Sequence, residues 1–177
     1  MRNIAQHCQN LGGIVANLQS LEFYIRCVLS ELPGSAPHGL QEDENLYDCH
    51  VGYELLESPM TNFDTLTQLI SKYNRAAGSF GWGLVDMEIV SLRDALAHGR
   101  VAYSGDQERH PRLMKFDKPS DGKVRVCYNE EMSADWFNKH IKATKRALDA
   151  VEEASHQLQQ KMDVRPVENM GSDTKAS

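Results

Sequence analysis

The chain has 177 residues, 41% of them hydrophobic and 25% charged, and a net charge of −6. A chain of that length can bury a core of its own without a metal or a disulfide, and no apolar run reaches the roughly 18 to 20 residues of a membrane span. The acidic balance excludes a protein that coats nucleic acid nonspecifically, because phosphate affinity comes from clustered Lys and Arg.

Met1-Arg2-Asn3-Ile4 lacks the apolar core of a secretory signal, and Cys8, Cys27, Cys49 and Cys127 show neither CxxC nor framework spacing. A reducing cytoplasm is therefore expected. Ile4, Cys8, Leu11, Ile14, Val15, Leu18, Leu21, Ile25, Val28, Leu29 and Leu32 recur every three or four residues, which predicts a long first helix ended by Pro33-Gly34. Gly12-Gly13 falls inside it, either as a weak point or to admit a close backbone.

Residues 33–60 hold Pro33, Pro37 and Pro59 and the acidic run Glu42-Asp43-Glu44, and read as a connection with a short helix around 44–56. A second helix is predicted after Thr61-Asn62, with Phe63, Leu66, Leu69, Ile70 and Tyr73 buried and Ala77-Gly78 closing it. Phe80-Gly81-Trp82-Gly83 turns into a third helix whose core face is Val85, Ile89, Leu92 and Leu96, stopped by Gly99. The period then becomes alternating at 101–103, 112–116 and 124–128, as in a small antiparallel sheet or hairpin.

Ser133 should cap a final helix in which Trp136, Phe137, Ile141, Leu148, Val151, Leu158 and Met162 form one apolar stripe, packed along the first helix. The expected fold is mainly α: a bundle of four to five helices in a single domain over 1–162, with a β insertion before the last helix. Residues 163–177, rich in Pro, Gly, Ser and Lys, are expected to be disordered.

The chemistry-bearing segment is Ser91-Leu92-Arg93-Asp94-Ala95-Leu96-Ala97-His98-Gly99-Arg100. On one ideal helix Arg93 and His98 sit about 140° apart and do not form an i,i+4 pair. His98 falls on the last turn, where the negative end of the helix dipole favours an imidazolium suited to proton exchange. Arg93 supplies a planar cation for phosphate oxygens. Such a pair can cleave RNA through the RNA's own 2′-hydroxyl without a metal. The same residues also make an ordinary solvated arginine and a helix-end histidine.

Leu92-Arg93-Asp94-Ala95-Leu96-Ala97-His98-Gly99 resembles the R-x4-6-H signature of the HEPN superfamily, in which a polar residue, here Asp94, follows the arginine. The resemblance implies an antiparallel helical bundle, catalytic Arg93 and His98, a supporting Asp94, and a homodimer whose two motifs face one cleft. It implies a metal-independent endoribonuclease, such as a toxin or phage-defence effector, with an antitoxin or another protein as partner. A second expectation from the same resemblance is a catalytically silent interaction module that binds a partner protein or a nucleotide. No accompanying nucleotidyltransferase, helicase or CRISPR ligand-sensing domain is expected, a departure from many such proteins, and the strands and the 33–60 connection are additions to the minimal bundle.

Residues 93–125 hold eight basic and five acidic side chains within the acidic chain. Arg100, Tyr103, Arg109 and Arg112 could stack on or clamp RNA there, against the plainer reading of a hairpin surface. Asp48-Cys49-His50 with His38 lacks metal-finger spacing, so no metal or other cofactor is expected. Cys127 reads as a buried thiol, His140 as a partly exposed helix residue and Trp82 as core.

Overall fold

A computed structural model describes residues 4–41, 44–104 and 109–163, with side chains as far as 160. Among these the order is α1 (Ile4–Glu31), a 3-10 turn (Leu46–Asp48), α2 (Leu66–Phe80), α3 (Glu88–His98), β1 (Arg100–Ala102), β2 (Arg112–Phe116), β3 (Val126–Glu131) and α4 (Ala134–Asp163). The chain is mainly helical, with a small antiparallel sheet ordered β1-β2-β3 before the last helix. The tail from 164 onward, and Glu42 and Asp43 of the acidic run, lie outside the described residues.

The long first helix is unbroken, and Ile14, Leu18, Leu21, Ile25, Val28 and Leu29 are buried along it as the period requires. A Cβ on Gly12 or Gly13 would meet nothing within 4 Å, so the pair admits no close neighbour and only weakens the helix. Ser133 caps α4 as expected, its Oγ accepting from Trp136 N–H at 3.2 Å. The two long helices pack together, and three contacts fix their sense: His7 against Phe137, Asn17 Nδ2 on Thr144 Oγ1 at 3.1 Å, and Glu31 with Gln159. Residue numbers rise together along both helices at a nearly constant offset. α1 and α4 are therefore parallel, where opposed neighbours were expected.

The boundaries of α2 and α3 differ from the sequence reading for identifiable reasons. Arg26, only 12% exposed, donates from α1 to the carbonyls of Pro59, Asn62 and Asp64, which holds 59–64 as a turn. α2 consequently starts later, at a capping box between Thr65 and Gln68, and Phe63 is left wholly exposed. Its end is also later than Ala77-Gly78: Gly81 adopts the left-handed conformation and Trp82 N–H bonds Ala77 O. Asn74 holds Val85 through both its N–H and its carbonyl, so Val85 is buried ahead of α3 and not within it. The 44–56 helix is reduced to the one 3-10 turn, capped by Asn45.

Trp82 is buried as expected and stacks on Phe80 at 4.6 Å. Tyr73 OH donates toward Gly83 O at 2.9 Å and lies 3.2 Å from Ala150 O, tying α2 and the following turn to α4. In the sheet, Leu113 pairs with Val101 and Glu130, and Arg112 with Ala102 and Glu131. β3 begins later than expected and runs farther, with an irregularity opposite Lys115 and Phe116 that skips Cys127 in the pairing.

Candidate functional site

α3 ends at His98, and Gly99 N–H bonds Ala95 O. Gly99 is extended (φ −80°, ψ −179°), not left-handed. Glycine is needed there for space: a Cβ would lie 2.2 Å from Ala95 O and 2.8 Å from Met114 O. The close approach seats the end of α3 on β2.

Arg93 Nη1 donates to Asp94 Oδ1 at 3.2 Å, and Lys115 Nζ reaches Asp94 Oδ2 at 3.5 Å. Asp94 thus sits between two cations. Both Arg93 (39% exposed) and Asp94 (36%) remain open to solvent, and the exposed His98 has no hydrogen-bond partner among the described residues. Among the described residues nothing joins Arg93 to His98, as their helical separation requires.

The four other residues expected to contact RNA divide. Strand alternation places Lys115 and Leu113 on the inner sheet face and Arg100 and Arg112 on the outer one. Arg100 lies over the Phe116 ring at 5.5 Å. Tyr103, Arg109 and Arg112 border a common hollow of about 340 Å³ with His110 and Glu131. Arg112 is already engaged there: it donates to Asn129 Oδ1 at 2.7 Å and sits 3.8 Å from Glu131 Oε2. Part of the intervening loop, 105–108, lies outside the described residues.

Two sequence readings are corrected around a different cavity. His140 is buried, not partly exposed, and Cys127 is exposed, because the strand irregularity takes it out of the regular alternation. Glu130 Oε2 accepts from Trp136 Nε1 at 2.7 Å and Tyr128 OH at 3.1 Å, with His140 Nε2 at 3.4 Å. Burial lowers the His140 pKa against the opposing pull of Glu130. Burial raises that of Glu130, but hydrogen bonds from His140, Tyr128 and Trp136 outweigh it and leave the carboxyl below its ordinary value. Burial also pushes Tyr128 up to about 12.

This network borders a cavity of about 600 Å³ between α3, β3 and α4. The sequence reading missed it. The usable signal was Lys139, Ala143 and Arg146, with His140 and Ala147 beside them, at helical spacing. Its opposite wall depends on the β3 register, which alternation alone did not fix.

Elsewhere, His38 Nδ1 accepts from Leu40 N–H, Asp48 bonds Asn45 and His50 lies against Val51 O, so these side chains make local contacts. Among the described residues no helix is long and apolar enough to cross a membrane, and no three His, Cys, Asp or Glu side chains group as a metal site. Compared with protein-family models, curated proteins and solved structures, the chain matches none.

Proposed function

We propose that the protein is a HEPN-type, metal-independent endoribonuclease that works as a homodimer, with Arg93 on the scissile phosphate and His98 moving the protons. The observation that carries this is the end of α3. It presents a solvent-accessible guanidinium steadied by Asp94 and, at its last residue, an exposed imidazole. Since the two diverge on one helix, a two-fold axis is the simplest way to bring two such ends to one phosphate.

In the proposed reaction a 2′-oxygen attacks the adjacent phosphorus as the bond from phosphorus to the 5′-oxygen breaks. One His98 takes the 2′-hydroxyl proton, and His98 of the second copy protonates the leaving oxygen. The products are a 2′,3′-cyclic phosphate and a 5′-hydroxyl. Arg93 offsets charge that develops on the phosphate, and Lys115, counted in the basic 93–125 segment but not assigned to the site, adds a second cation beside it.

The test is cleavage of RNA by the purified protein in EDTA. Cleavage should persist there, and Arg93→Ala or His98→Ala should lower it by about 100-fold or more without changing the thermal midpoint. Intact RNA at high protein concentration would sink the reading.

The alternative is a catalytically silent, cytoplasmic HEPN-like interaction module that binds a partner protein or a nucleotide. Tyr47, Val51 and Phe63, almost wholly exposed on the connection before α2, favour it as a surface for a partner protein. Uncleaved RNA together with partner capture that is lost in Phe63→Ser would support this reading instead.

A further inference from the structure

The cavity between α3, β3 and α4 carries charge of both signs on facing walls. Lys139 and Arg146 come from α4, while Asp86 and Glu88 lie just before and at the start of α3 and Glu130 on β3. Lys139, Ala143 and Arg146 follow at i, i+4 and i+7, so the two cations are about 10 Å apart along the helix with a small side chain between them. Ala147 extends that floor, and Ile89 and Leu92 supply apolar surface opposite.

Arg146 has no hydrogen-bond or ion-pair partner among the described residues. Glu130 uses Oε2 for all three of its donors, and its Oε1 has no partner among the described residues. The Trp136 and Tyr128 bonds hold that carboxylate in place before any ligand arrives. The closed side of the site is His140, nine-tenths buried behind Glu130.

We propose that this cavity binds a small zwitterion: an acid group on Arg146, an ammonium on Glu130 and Glu88, and a short hydrocarbon body over Ala143 and Ala147. A polyanion such as an RNA backbone would meet three carboxylates, and a simple cation would meet Arg146 and Lys139. A molecule with both charges satisfies both walls, and about 600 Å³ accommodates one of amino-acid size. The site is separate from Arg93 and His98, which do not line it, and does not depend on RNA cleavage.

The experiment is isothermal titration of the full chain with ω-amino acids from β-alanine to 8-aminooctanoate, beside hexanoate and hexylamine, which each carry one charge. At least one ω-amino acid should bind about tenfold more tightly than both single-charge molecules. Arg146→Ala should weaken it by about tenfold while leaving the thermal midpoint unchanged, since Arg146 makes no bond among the described residues. Glu130→Gln should weaken it too, and Ala143→Trp, which fills the floor, should abolish it. No saturable binding by any ω-amino acid up to about 10 mM overturns the proposal, as does equal binding by hexylamine or by hexanoate. Binding that survives Ala143→Trp unchanged overturns it as well.

Discussion

His140 pays for its position with a penalty on its charged form. Its folded-state pKa is below the ordinary 6.5, so on acidification the unfolded chain takes up that proton first. The stability it contributes is whole above 6.5 and is lost as pH falls from there toward the folded value. Glu130, held below 4.5, adds a second loss beneath that pH. Urea midpoints measured from about pH 8 to about pH 4 should therefore fall on acidification, and His140→Gln should remove the part of the fall nearest neutrality. An unchanged pH profile in H140Q would contradict this account. Gly99 is limited by space alone: Gly99→Ala sets a methyl against two backbone oxygens and should cost on the order of 3 kcal/mol, read as a lower urea midpoint. Gly12→Ala, in open space within α1, should instead stabilise by about 0.5 to 1 kcal/mol.

Among the elements, the turn at 59–64 is tied to α1 through Arg26. Arg26 binds three carbonyls and Asn62 Oδ1 from α1, besides Glu22. Arg26→Ala should cost on the order of 2 kcal/mol and speed amide exchange over 58–66 ahead of the rest of the chain. Lys cannot restore it, since one ammonium does not span that fork of acceptors. The same contact explains what could be read beforehand. α1 and α4 were legible because a 3.6-residue stripe is a local property, and Ser133 and Gly99 marked real boundaries. The start of α2 was misplaced because Arg26 lies 33 to 38 residues from its partners. Asn74 likewise keeps Val85 out of α3 through a contact no window of periodicity contains. The Arg93 and Asp94 pairing was adjacent in sequence and was read. Glu130 with His140 was not, since it depends on the register of β3.

At the scale of the whole molecule, the parallel packing of α1 and α4 was the least legible feature. A stripe on each helix states that it has a partner but not which way the partner points. The intervening 102 residues return the chain to the end where it started before α4 begins. The first residue of α1 and the last of α4 consequently lie at opposite ends of the helix pair, about 40 Å apart at 1.5 Å per residue. Domains fused directly to Ile4 and to Asp163 would therefore leave in opposite directions.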